Sequence, residues 1–122
     1  MKLRIILIGV ISFAALAVGT APRAKQSPKL INITASRFAF EPNEITVKKG
    51  EEVTLVIQSN DVTHGLLVED LGVRTEVKKG QAATVTFTPE TAGTFEGKCA
   101  HFCGTGHGSM TFTIQVVDSG AR

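Results

Sequence analysis

From Leu30 onward, hydrophobic and polar residues alternate in short runs separated by turn residues. Leu30-Ile-Asn-Ile-Thr34 opens the first run, and Phe38-Ala-Phe40 resumes it before the Glu41-Pro42-Asn43 turn. Glu44-Ile-Thr-Val-Lys48 closes at Lys49-Gly50, and Glu52-Val-Thr-Leu-Val-Ile-Gln58 ends at Ser59-Asn60-Asp61. His64–Val68 and Val73–Val77 are shorter pieces, and Ala82–Thr88 alternates cleanly. Thr94–Lys98 and Thr111–Val117 flank the segment from Cys99 to Met110. β-Branched and aromatic residues suit a pleated, half-buried strand, and no stretch has the spacing of an amphipathic helix. Seven to eight mostly antiparallel strands, with turns every ~8–12 residues, predict an all-β Greek-key sandwich. Its inward side chains are expected to be Ile31, Ile33, Phe38, Phe40, Ile45, Val47, Val53, Leu55, Ile57, Val85, Phe87, Phe95, Phe112, Ile114 and Val116.

The chain's first stretch follows another pattern. Lys2 and Arg4 precede an apolar run from Ile5 to Val18, followed by the small residues Gly19, Thr20 and Ala21. This is the layout of a secretory signal peptide. A spanning helix needs roughly 20 apolar residues, so an uncleaved membrane anchor is the alternative for residues 1–21. Residues 22–29, with two prolines, read as a linker. Residues 30–118 form the expected single domain, and 119–122 a tail. Either reading of the leader places the domain in the periplasm or on the extracytoplasmic face of the membrane, with membrane association through the N-terminal segment or a partner.

Charge adds little. The formal net charge is +2 over 122 residues. Without Lys2 and Arg4, 11 basic residues face 11 acidic ones, and no basic patch argues for nucleic acid. Glu41, Glu44, Glu51, Glu52, Glu69 and Asp70 are candidates for an acidic face toward a basic partner.

The chemistry concentrates in one place. All three histidines, both cysteines and the one Met besides Met1 form a single pattern: His64, then Cys99-Ala-His101-Phe-Cys103-Gly-Thr-Gly-His107-Gly-Ser-Met110. Thiolate, imidazole and thioether are donors that copper prefers. Gly104, Gly106 and Gly108 let the backbone turn tightly between Cys103 and Met110. A mononuclear blue-copper site uses one Cys, two His and a weak Met, so this set has one thiolate too many. Two thiolates can bridge a pair of copper ions, each ion taking one histidine, with Met110 and a main-chain carbonyl as weak ligands. Such a site has no open position for substrate and reads as an electron relay, without a catalytic site in this chain. Two competing readings use the same residues. The cysteines could close a structural disulfide in an oxidising compartment, or the Cys2His2 set could hold zinc; neither accounts for Met110.

The spacing Cys-x3-Cys-x3-His-x2-Met with an upstream His closely resembles the binuclear CuA domain of cytochrome c oxidase subunit II, especially the compact type with one N-terminal helix. A similar domain occurs in nitrous oxide reductase. The resemblance covers most of residues 36–118, including Phe40-Glu-Pro-Asn43, Asp61-Val-Thr-His-Gly65 and Cys103-Gly-Thr-Gly-His107. It implies a cupredoxin fold, with two coppers held by His64, Cys99, Cys103, His107, Met110 and the main-chain carbonyl of His101. It also implies electron acceptance from a cytochrome c or other redox protein and delivery to a haem–copper oxidase partner such as subunit I. Many subunit II proteins carry at the position of His101 a Glu that helps bind magnesium, and this departure does not support that second site. The sequence also has no Trp or Tyr, whereas family members commonly carry aromatic residues at the electron-entry face. A free periplasmic carrier and a copper-delivery protein are the alternatives.

Overall fold

The computed structural model describes residues 9, 13–17, 19 and 27–119. The remaining residues of the expected leader, linker and tail lie outside the described residues. Among those described, no helix is long and apolar enough to cross a membrane.

Nine strands form among the described residues: β1 (Lys29–Ser36), β2 (Ala39–Glu41), β3 (Glu44–Lys48), β4 (Val53–Ser59), β5 (His64–Val68), β6 (Val73–Val77), β7 (Ala83–Phe87), β8 (Gly93–Lys98) and β9 (Thr111–Val117). They build two sheets, ordered β2-β1-β4-β7 and β3-β9-β8-β5-β6. Most pairings are antiparallel, while β1 runs parallel to β4 and β3 parallel to β9. The all-β sandwich expected from the alternation is therefore present. Its strand count exceeds seven to eight because the first run does not resume after Ser36. Instead the chain reverses at Arg37-Phe38, and β2 pairs back on β1 with Ala35 opposite Phe40.

The period-two pattern explains which faces meet. Ile33, Ala35, Val53, Leu55 and Ile57 are buried on one sheet, and Ile45, Val47, Phe112, Ile114 and Val116 on the other. Phe40 and Phe112 join the two sheets edge to face, with ring centres 5.8 Å apart. Each such side chain contributes ~1.5–3 kcal/mol when taken out of water. Ile31, Val85 and Phe95 are only partly buried, whereas Phe38, expected inside, is 37% exposed. Leu66, Val68, Val73 and Val77 complete the core. They sit in runs too short or too uniformly apolar to show an inward face.

This architecture gathers several strand ends at one end of the sandwich. β8 and β9 are a hairpin, with Lys98 opposite Thr111, and the loop from Cys99 to Met110 is its long connection. The Cys99 N–H closes its base on the Met110 carbonyl at 3.0 Å. β5 begins at His64 and runs alongside β8, so the Ala100 N–H reaches the Gly65 carbonyl at 3.2 Å. The turn after β4 and the β1–β2 reversal complete the same end. The six acidic candidates do not share one face. Glu41 and Glu44 lie toward this end, while Glu51, Glu52, Glu69 and Asp70 lie toward the opposite one.

Of the three loop glycines, two have a structural reason. Gly104 has φ +137°, a conformation L side chains rarely adopt. A Cβ on Gly106 would stand 2.5 Å from the Phe38 ring. Gly108 has open space around it and no such φ. Gly106→Ala should therefore cost ~1–3 kcal/mol of stability through overpacking, while Gly108→Ala changes little. Paired thermal unfolding measurements check this, and equal losses would refute it.

Candidate metal centre

The donor atoms form a short chain through the buried end of the sandwich. His64 Nδ1 lies 3.9 Å from Cys99 Sγ, Cys99 Sγ 3.7 Å from Cys103 Sγ, and Cys103 Sγ 3.8 Å from His107 Nδ1. The main-chain oxygen of His101 stands 3.2 Å from Cys99 Sγ, and Met110 Sδ 3.9 Å from Cys103 Sγ. Both cysteines are free and buried. His64 and Met110 are fully buried, and His107 is half-buried at the surface. All six residues singled out in the sequence thus come together. His101 enters through its carbonyl, for its ring turns outward, with Nδ1 3.5 Å from Glu76 Oε2.

Each placement has a local cause. Cys99 follows the last residue of β8, and Met110 precedes the first of β9, so the sheet fixes both ends of the loop. Between them the chain tightens into a 3-10 turn, His107–Ser109, whose start is set by His107 N–H to Gly104 O at 3.1 Å. Phe102 is 74% exposed, and its ring centre lies 5.8 Å from that of His107.

Asp61 holds His64 from behind. Its Oδ1 lies 2.8 Å from His64 Nε2, a contact that selects the tautomer with the proton on Nε2 and turns Nδ1 toward Cys99. A metal-binding histidine commonly has this arrangement, because the carboxylate fixes both tautomer and ring orientation. The carboxylate also accepts the N–H groups of Val62 and Arg37, each at 2.7 Å. Burial pushes the Asp61 carboxyl up, but these donors from Arg37, His64 and Val62 outweigh it and hold the group at about 2. The residue was present in the Asp61-Val-Thr-His-Gly65 motif, but the sequence reading gave it no role. Its position three residues before a candidate ligand was the available signal.

The Cys103 thiol has the opposite electrostatics. Burial and then the neighbouring Cys99 push the Cys103 thiol up to about 11. With no metal, a thiolate here lacks compensation; a bound cation reverses that balance. The donor chemistry therefore fits copper: paired sulfurs flanked by two imidazole nitrogens, with a thioether and a carbonyl at the ends. Since Cys103 must shed its proton on metal binding, apparent copper affinity should rise with pH up to about 11. Competition titrations against a chelator at several pH values check the sign. An affinity falling with rising pH would contradict it.

A family model for the cupredoxin-like domain matches residues 8–112. Cytochrome c oxidase subunit 2 of Thermus thermophilus is 37% identical over 86 residues, spanning 70% of this chain and 64% of that protein. Nitrous-oxide reductase of Cupriavidus necator is 36% identical over 93 residues, spanning 73% of this chain and 14% of the enzyme. The chain thus spans less than two thirds of either relative. Among solved structures, the periplasmic domain of cytochrome oxidase subunit II of Bradyrhizobium japonicum superposes with a TM-score of 0.71. That match covers 78% of this chain and 88% of that one at 20% identity, a likeness of fold. Sandwich, donor set and family match agree: the chain belongs to the cupredoxin-like family, and within it is similar to the copper domain of cytochrome c oxidase subunit 2.

Proposed function

We propose that residues 30–118 form an extracytoplasmic electron relay with a binuclear copper centre, which takes electrons from a cytochrome c and passes them toward a haem–copper oxidase partner. Residues 22–29 tether it to a signal peptide or membrane anchor at 1–21. The observation that carries this reading is the unbroken run His64 Nδ1, Cys99 Sγ, Cys103 Sγ, His107 Nδ1, with no step longer than 3.9 Å. A copper pair bound there supplies a one-electron couple shared over both ions.

The chain's own residues suit that couple. Cys99, Cys103, His64 and His107 would hold the copper pair, with the His101 carbonyl and Met110 as weaker donors. Burial of His64, Cys99, Cys103 and Met110 keeps water from the sulfurs. Strands on both sides of the ligand loop resist rearrangement when charge changes. His107 reaches the surface beneath Phe102, which provides a short route for an electron to and from a docked protein. The centre borders a groove of about 320 Å³ lined in part by Arg37, His101 and Phe102. In an oxidising compartment the neighbouring cysteines must be kept reduced for metal loading, since a disulfide would consume both sulfurs.

Mixing the copper-loaded domain with reduced cytochrome c in a stopped-flow spectrometer tests the role. The expected result is rapid, reversible one-electron exchange with copper retained. Copper passing to an acceptor protein without electron exchange would instead make this a delivery protein.

A further inference from the structure

Arg37 stands outside the donor set, yet it fastens the centre from two sides. It lies at the β1–β2 reversal, on the sheet opposite the ligand loop. Its main-chain N–H donates to Asp61 Oδ2 at 2.7 Å, and Asp61 Oδ1 in turn accepts from His64 Nε2 at 2.8 Å. Its side-chain Nε–H donates to the main-chain oxygen of Cys103 at 2.9 Å. One residue of the β1–β2 turn therefore orients His64 through Asp61 and Cys103 directly. The next residue, Phe38, lays its ring against Gly104 and Gly106, so the reversal clasps the loop as well.

We infer that Arg37 is a positioning residue for the copper centre, whose guanidinium fixes the Cys103 peptide and raises the centre's reduction potential. This rests on the copper reading above. The physical case has two independent parts. A hydrogen bond from a cation to a carbonyl is stronger than a neutral one, and here it sets the peptide plane beside a bridging sulfur. The second part is charge. Reduction removes one positive charge from the centre, so a fixed cation nearby favours the reduced state. The Asp61 carboxylate behind His64 acts in the opposite sense, and Arg37 offsets it. Because Arg37 is exposed at the surface, its field is screened by salt, whereas its part-buried hydrogen bond to Cys103 is less so.

Two substitutions separate these parts. Arg37→Gln places an amide nitrogen where the Arg Nε stands along the side chain, so it keeps a donor and loses the charge. Arg37→Met keeps the shape and loses both. The main-chain bond to Asp61 survives in each. Wild type and both variants, as full chains, would be compared in redox titration at low and high salt and in copper release to a chelator. Amide exchange of the copper-free proteins completes the set. The expected result is a lowered potential in both variants, with the difference narrowing as salt rises. Copper release should quicken roughly tenfold in Arg37→Met alone, with faster exchange confined to the Cys99–Met110 loop. Wild-type potential in both variants would overturn the inference, as would equal loosening of the β8 and β9 amides. A wild-type chain that takes up no copper would sink the copper reading itself, and this inference with it.

Discussion

Replacing Cys103 with serine is expected to abolish the shared centre. Cys103 Sγ is the hub of the site: Cys99 Sγ, His107 Nδ1 and Met110 Sδ all lie within 3.9 Å of it. An alcohol is a hard, weakly acidic donor that cannot replace a thiolate between two soft ions. Copper content should fall by at least half, and any copper retained should lose the signature of an electron shared between ions. Cys99→Ser should behave alike, because it removes the sulfur between His64 and Cys103. Met110→Leu, by contrast, removes only a weak donor at the end of the set and fills a similar volume. It should keep both coppers and move the potential. Copper analysis and redox titration of the three variants check this ordering; a Cys103→Ser protein with an intact two-copper signal would break it.

Asp61→Ala carries the second large effect. It deprives the fully buried His64 ring of the acceptor on Nε2. An unsatisfied buried donor costs ~1–3 kcal/mol, and losing the orienting carboxylate behind a metal-binding histidine lowers affinity by roughly 10–100-fold. The pH dependence has a definite sign. The folded Asp61 carboxyl is held at about 2, below the ordinary value of ~3.9. Its stabilisation is therefore fully present above the ordinary value and fades as pH falls toward about 2. Asp61→Asn, which leaves one oxygen for donors that now use two, should flatten that part of the acid unfolding curve. A variant curve parallel to wild type through this window would remove Asp61 from the account.

How much of this could be read from the chain differs from one residue to the next. The ligand loop was legible because its donors are rare residue types at fixed offsets between two alternating runs. The sandwich was legible because Ile31, Ile33, Val53, Leu55 and Ile57 alternate as a half-buried sheet demands. Phe38 was misplaced inside the core because its aromatic-x-aromatic run looks like a strand continuing. Nothing in that run announces that the chain reverses at Arg37. Arg37 itself reads as a solvated turn charge, since its partners Asp61 and Cys103 are 24 and 66 residues away. Long-range hydrogen bonds to a carboxylate and to a main-chain oxygen leave no periodic mark. The exposure of Phe102 is equally hidden in the chain: an aromatic residue between two buried cysteines lies mostly in solvent, because the chain turns its His101 carbonyl inward there and the neighbouring side chain outward.

Copper stoichiometry combined with electron paramagnetic resonance on the loaded chain tests the central claim most directly. Two coppers per chain sharing a single unpaired electron, seen as hyperfine coupling to two equivalent nuclei, is the predicted result. One copper per chain with an ordinary mononuclear spectrum would contradict it.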